Sequence, residues 1–431
     1  MKKGKQNKLI ALLLSLLVAI VVIFGVVNIF SMKEGQNKTS YVKQEATKQP
    51  VLGQNVATAS PEQRTTPKAE ATSSAKPTAT PEATNAPQTG DGKEHEASLL
   101  AVGDDLIHTQ VISSGKRSDG SYNFDHLYQN LKQEISSADI AVVNQETVLG
   151  GKSLGYSGYP AFNSPTEVGD ALVKAGFDVV LQATNHSMDK GEKGMQNTLD
   201  YWKTKKGITV LGANETKKEQ DTVKVVEKNG IKIAMLNYTY GLNGLPLPAD
   251  RKYMVNLLDE KKIKKDVAQA KQISDFVVVF VHWGTEYEYE PDSQQKKYTD
   301  VFAEAGVDLV IGSHPHVVEP VKWVTSSNGH KMLVYYSLGN FVSGQSEAPR
   351  MLGGLAKVII HKDADGKTSI KDASITPTVT HFSYSYKTYT VYKLSDYTDK
   401  LASEHRLHGK GLTVSKLQSL SKQVFKDWYK K

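Results

Sequence analysis

The run LVIGSHPHVVEP, Leu309 to Pro320, sets two histidines either side of a proline at the end of a short β-branched stretch. Imidazoles there can bind a metal, exchange a proton or hydrogen-bond a loop, and the pair alone does not choose among these. Partners decide, and four other apolar runs end in groups of the same kind. SLLAVGDDLIH ends in Asp104, Asp105 and His108, and DIAVVNQET in Asn144 and Glu146. FDVVLQATNH ends in Asn185 and His186, and DFVVVFVHWG in His282. Such runs read as buried strands, and ligands of open α/β sheets collect beyond the carboxyl ends of strands. Each residue alone has a plainer role: Asp104 could cap a helix, Asn185 could make a turn, and His282 could be a satisfied core histidine. Five such endings together point to one shared site. Its imidazole, carboxylate and carboxamide donors, without sulfur, suit Zn, Mn or Fe and suffice for two divalent ions. Two ions about 3.5 to 4 Å apart activate water and clamp a phosphoryl group, so phosphoester hydrolysis is the matching reaction.

The elements that must position these groups follow from periodicity. After Ala97, short β-branched runs alternate with helical segments, the pattern of an α/β fold. Ser164-Pro165-Thr166-Glu167 has the form of a capping box, Leu172 and Val173 give the helix an apolar face, Gly176 stops it, and strand Val179 to Leu181 follows. Asp292 to Gly306 repeats this plan, with Tyr298, Val301, Phe302 and Ala305 on the buried side, ahead of a strand from Val307 to Ile311. The acidic run EYEYE, Glu286 to Glu290, reads as a solvated strand edge, with a place beside substrate as the alternative. A hairpin is expected at Asp365-Gly366. In the basic C-terminal segment, 386–431, Leu417, Leu420, Val424 and Trp428 recur at helical spacing opposite Lys416, Lys422, Lys426 and Lys430. That pattern favours a helix packed on the domain or a partner over one lying on lipid.

The first hundred of the 431 residues do not read as globular. Leu9 to Phe30 is an apolar run that would be about 33 Å long as a helix, enough to cross a bilayer. Lys2, Lys3, Lys5 and Lys8 precede it, which keeps residues 1–8 cytoplasmic and turns the bulk of the chain outward. A cleaved signal peptide is the competing reading, but NIFSMKEG offers no small-x-small site, so an uncleaved single-pass anchor is expected. Residues 31–96 hold six of the fifteen prolines among Thr, Ala and Ser, too polar to offset chain entropy, and are expected to be a disordered tether. The absence of cysteine excludes disulfides, thiolate metal sites and cysteine nucleophiles. A net charge of +7 on an extracytoplasmic chain suits an anionic envelope polymer, and no nucleic-acid motif is present.

Six blocks, GDDLIH, NQET, ATNHSMDKG, VHWGTEYEYEP, GSHPHVVEP and YYSLGNFVSGQ, resemble in order and spacing those of the CapA, or PgsA, family of bacterial capsule and poly-γ-glutamate synthesis proteins. That family is similar in turn to calcineurin-like metallophosphoesterases. The resemblance covers Ala97 to Ser346 and implies a four-layer α/β/β/α sandwich for the domain at 97–385. It implies Asp104 and His316 on one ion, Glu146 as the bridge, and Asn185, His282 and His314 on the second. His186 would be the uncoordinated catalytic histidine, stabilising phosphoryl oxygens or protonating the leaving group. From the residues themselves, Asn144 and Asn340 are candidates to border substrate, with a turn asparagine the alternative for Asn340. Two departures stand out. The phosphoesterases begin Asp-x-His, whereas His108 lies four residues after Asp104, with Asp105 as the alternative ligand. Glu146 stands where aspartate is usual and adds a methylene to the bridge.

The role implied is a membrane-anchored extracytoplasmic protein of capsule or poly-γ-glutamate synthesis, export or anchoring, working beside synthase and export subunits. A phosphoesterase acting on another envelope substrate and a non-catalytic assembly subunit are the alternatives. A barrel amidohydrolase also carries His-x-His at a strand end, but on an early strand, and here the pair comes late.

Overall fold

The computed structural model describes residues 92–429. The expected anchor at 9–30 and most of the expected tether lie outside that range. Among the described residues no helix is long and apolar enough to cross a membrane.

The chain opens with β1 (His95–Asp105), β2 (Ile140–Gln145), β3 (Val179–Leu181) and β4 (Thr209–Leu211). It continues through β5 (Lys224–Lys228), β6 (Ile231–Thr239), β7 (Phe276–His282), β8 (Leu309–Ser313), β9 (Val321–Thr325) and β10 (Lys331–Tyr335). The last strands are β11 (Asn340–Val342), β12 (Leu352–Lys362), β13 (Thr368–Phe382) and β14 (Tyr389–Lys393). They form a mixed α/β fold with two sheets. One is eight-stranded in the order β14-β13-β12-β1-β2-β3-β4, with β11 paired to the end of β1; the other is six-stranded in the order β5-β6-β7-β8-β10-β9. In both, the central strands are parallel and hairpins extend the edges. Parallel strands are covered on both faces, which is why β2 and β7 are continuous apolar runs.

Alternation along β7 shows what covers each face. Phe276, Val278 and Phe280 enter a core shared with Leu99, Val142 and Val179 of the other sheet. Val277, Val279 and Val281 pack instead with Ile263 and Val267 of the helix Glu260–Ile273 and Phe302 of the helix Ser293–Ala305. A side-chain period of two thus divides one strand between two cores.

The two sheets are tied at one rim by the segment from Tyr336 to Asn340. Leu338 donates its N–H to Gly312 O at the end of β8, and Gly339 O accepts from Asp104 N at the end of β1, 3.0 and 2.9 Å respectively. Glycine is required at both crossings: a Cβ on Gly312 would lie 1.9 Å from Tyr336 O, and one on Gly103 1.9 Å from Gly339 O.

The helix ends differ in part from the sequence expectation. In the helix Glu167–Ala175 the N-cap is Thr166 and no side chain caps it, because the Ser164 hydroxyl lies 2.7 Å from that of Thr147 instead. Gly176 does end that helix, in the left-handed conformation at φ +109°. The helix Ser293–Ala305 has a full capping box between Asp292 and Gln295. The helix Val414–Phe425 places Leu417, Val424 and Phe425 in the core shared by the sheets, and Trp428 lies 6.4 Å from the Tyr335 ring.

One buried acid is held by this framework. Gln295 donates from Nε2 to Glu319 Oε2 at 2.6 Å, while Glu319 Oε1 has no partner. Burial pushes the Glu319 carboxyl up from 4.5 to about 8. The protonated form is therefore the native one, and its contribution to stability is complete below 4.5 and lost as pH rises through about 8. Wild-type stability should fall across that window by up to about 1.4 kcal/mol per pH unit. Glu319→Gln keeps the hydrogen-bonding shape without the proton and should flatten this slope in urea titrations run as a pH series; an unchanged slope would reject the assignment.

Candidate metal centre

Strand ends from both sheets meet at the tied rim. Asp104, the penultimate residue of β1, is buried and accepts Asn144 Nδ2 at 2.8 Å; its Oδ2 lies 3.0 Å from His316 Nδ1. The backbone N–H of His314 also donates to its carboxylate at 3.3 Å. Glu146, just past β2, is buried with both carboxylate oxygens unpartnered. Its Oε1 lies 3.7 Å from His282 Nε2, 3.7 Å from His316 Nε2 and 4.0 Å from His186 Nε2. His282, the last residue of β7, reaches Asn185 Oδ1 with Nε2 at 2.9 Å and Ser313 Oγ with Nδ1 at 3.0 Å. His314 is buried with Nδ1 unpartnered, its ring 4.7 Å from that of His282.

The His-Pro-His turn answers why such a pair follows an apolar strand. His314 and His316 both take positive φ, +100° and +58°, a conformation costing non-glycine residues about 1 to 3 kcal/mol each. With proline between them, this backbone turns both imidazoles toward Glu146.

Two sets of donors fall within cation-binding reach of one another, Asp104 with Glu146 and His316, and Glu146 with His282 and His314. Glu146 belongs to both. Buried polar atoms normally have hydrogen-bond partners, so four unpartnered ones here, both Glu146 oxygens, His314 Nδ1 and Asn144 Oδ1, match what a divalent cation takes. Ligand bonds of 2.0 to 2.2 Å put neighbouring ligand atoms about 3 to 3.5 Å apart, so the 2.9 to 3.7 Å spacings suit shared cations as well as hydrogen bonds. The electrostatics agree. Burial, then the carboxylates of Asp104, Glu286 and Asp189, drive the Glu146 pKa well up. Burial, then the neighbouring imidazoles, drive His282 and His314 well down, leaving neutral nitrogens with lone pairs to give.

The remaining candidates sit at the margin. His186 Nδ1 is 2.7 Å from Asp189 Oδ2, which also accepts the Phe162 N–H, so the ring is fixed with Nε2 toward Glu146. Asn340 holds His316: its Oδ1 is 3.1 Å from His316 Nδ1, and its Nδ2 donates to Gln345 Oε1 and to the carbonyls of His316 and Arg350. His108 is in neither donor set. Its Nδ1 accepts the Gly344 N–H at 3.1 Å, burial pushes its pKa down to about 4, and Phe162 stands edge-on to both its ring and that of His186. Asp105 points the opposite way from Asp104, as neighbours on a strand do, and accepts the Tyr128 hydroxyl at 3.0 Å.

Two residues beyond the strand ends join the site. Asp189 is three residues from His186, a spacing visible in ATNHSMDKG once a turn is assumed there. Glu286 forms a third possible donor set with His314 and His316. The run expected to be a strand edge is a loop at the site mouth, because Tyr287 takes φ +71° and donates its N–H to Pro315 O at 2.8 Å. Arg350 lies 3.5 Å over the Tyr287 ring beside it.

Comparison with known sequences bears on the same blocks. Residues 98–345, more than half of the chain, match the family model described as bacterial capsule synthesis protein PGA_cap. The chain belongs to this family. All the converging side chains lie within the matched residues. Among PGA_cap relatives, the PGA biosynthesis protein CapA of Bacillus subtilis is 31% identical over 212 residues, 46% of this chain and 51% of that one. The capsule biosynthesis protein CapA of Bacillus anthracis is 26% identical over 262 residues, 59% of this chain and 61% of that one. The chain thus spans about half to three fifths of the length of these curated relatives. Solved structures with similarity include the NAD nucleotidase of Haemophilus influenzae, at TM-score 0.41 and 13% identity over 77% of this chain and 61% of that one. Another is a purple acid phosphatase of yellow lupin, at TM-score 0.28 and 9% identity over 66% and 54%.

Metal addition tests the centre directly. After chelation, manganese at about a hundred times its Kd should stabilise the wild type by about 2.7 kcal/mol, and more weakly in acid, where Glu146 holds a proton. Glu146→Ala and His314→Ala should lose most of that gain in thermal melts, while His108→Ala should keep it. Equal stabilisation of all variants would place the metal elsewhere.

Proposed function

We propose that this PGA_cap protein is a membrane-anchored, extracytoplasmic component of capsule or poly-γ-glutamate synthesis, export or anchoring, carrying a dinuclear metal site of metallophosphoesterase type. The observation that carries the reading is the Glu146 carboxylate, unpartnered, buried and common to two donor sets. Family membership and the names of the Bacillus relatives support the capsule role. The apolar run at 9–30, preceded by lysines, supports the anchor and the outward orientation. The expected partners are the membrane, synthase and export subunits and an anionic envelope polymer, and no nucleic acid. In this reading the two sheets with helices outside form the four-layer phosphoesterase arrangement.

Asp104 and His316 would hold one cation, His282, His314 and Asn185 the other, with Glu146 between. Bound cations would supply Lewis-acid charge stabilisation and a nucleophile at neutral pH. The protein's own groups do the rest. His186 donates its Nδ1–H to Asp189, which leaves Nε2 to carry a proton to the leaving oxygen of a phosphoester, or to hydrogen-bond its phosphoryl oxygens. Asn144 fixes Asp104, Asn340 fixes His316, and buried Phe162 packs against His186.

Purified full-length protein loaded with manganese or zinc should hydrolyse a small aryl phosphoester. His186→Ala should lower kcat by about 10²- to 10⁴-fold while leaving metal content intact, and Asp189→Asn by about tenfold. Equal rates in all three proteins would reject the hydrolytic role. Loss of surface polymer on deletion of the gene tests the capsule role separately.

A further inference from the structure

A cavity of about 360 Å³, linked to the metal centre through Gln345 and Asn340, is built mostly from residues beyond the family match at 98–345. Gln345, Phe382, Tyr384, Tyr386, Arg406 and Lys410 line it, and no acidic side chain does among the described residues. Gln345 makes that link: its Oε1 accepts from Asn340, whose own Oδ1 is 3.1 Å from His316 Nδ1.

The cavity's charge is held in place. The turn after β13 is closed by Ser383 N–H to Thr388 O at 3.0 Å and pinned to the next segment by Arg406 N–H to Phe382 O at 3.0 Å. The Arg406 guanidinium lies 4.7 Å over the Tyr386 ring and donates one N–H to Tyr384 O at 2.7 Å, and the residue is exposed with further N–H donors on the same fork. Lys410 reaches Ser346 O at 3.3 Å, and Tyr384 is 57% exposed at the rim. The contrast with the neighbouring site is sharp. Asp104, Glu146, Asp189 and Glu286 make the metal centre acidic until cations fill it, whereas the charge of this cavity is positive without any metal.

We propose that this cavity binds a carboxylate-bearing segment of an anionic polymer and holds the chain beside the metal centre. The identity of the polymer rests on the capsule reading above; the preference for an anion rests on the cavity alone. Arg406 grips a carboxylate with its fork, Lys410 adds a second charge, and the tyrosines cover the polymer backbone.

The test is binding of labelled poly-γ-glutamate to full-length protein stripped of metal, read by fluorescence anisotropy. The wild type should bind, more weakly as salt rises. The double variant R406Q/K410Q should bind at least about tenfold more weakly while keeping its melting temperature and its manganese uptake. His314→Ala, which disables the metal centre, should bind the polymer as the wild type does, so failure of the metal reading and failure of this one are separable. If the double variant melts early, Lys410→Gln alone should still weaken binding about threefold. Unchanged affinity in a folded R406Q/K410Q protein would overturn the proposal, and tighter binding of polyphosphate than of poly-γ-glutamate would overturn the carboxylate assignment.

Discussion

A carboxylate with no hydrogen-bond partner, buried among imidazoles and other acids, is the constraint around which this fold is arranged. Removing an ionised group from water costs roughly several kcal/mol unless charge or hydrogen bonds compensate. Glu146 has neither from the protein: its Oε1 faces His186, His282 and His316 at 3.7 to 4.0 Å, and the charges acting on it are negative. Burial and mutual repulsion hold His282 and His314 neutral, so these two imidazoles do not supply the missing positive charge. A proton or a divalent cation resolves the imbalance, and the cation also gives His314 Nδ1 and Asn144 Oδ1 a partner.

The architecture makes that arrangement possible at tolerable cost. Parallel strands in each sheet end at a common rim, and Gly103 and Gly312 let the segment from Tyr336 to Asn340 cross between them at backbone contact. The same segment delivers Asn340 to His316, so the tie between sheets and the support of a metal-facing histidine are one structural element. The positive φ values of His314 and His316 add local strain, which the hydrogen bonds to Asp104 offset.

What the sequence made legible follows from this physics. Groups at the ends of apolar runs could be read because strand ends converge, and Asp104, Glu146, Asn185, His282, His314 and His316 are all of that kind. Asp189 and Glu286 lie on a turn and a loop whose backbone no periodicity specifies, so their approach to the site had no comparable signal. His108 and Asp105 show the limit of counting residues: at the end of β1 the pleat sends Asp105 to Tyr128, and a helix starting at Thr109 turns His108 toward Gly344. Ser164 carried a valid capping signal that a tertiary partner, Thr147, outbid. The C-terminal helix could be recognised by its apolar spacing, but the cavity that Arg406 and Lys410 form with Gln345 depends on a long-range return of the chain after β13 that local sequence does not encode.

Anomalous diffraction from manganese-soaked crystals tests the central claim most directly. The account predicts two peaks flanking the Glu146 carboxylate, one against Asp104 and His316 and the other against His282 and His314. A carboxylate that touches no ion, with any manganese bound at other residues, would contradict it.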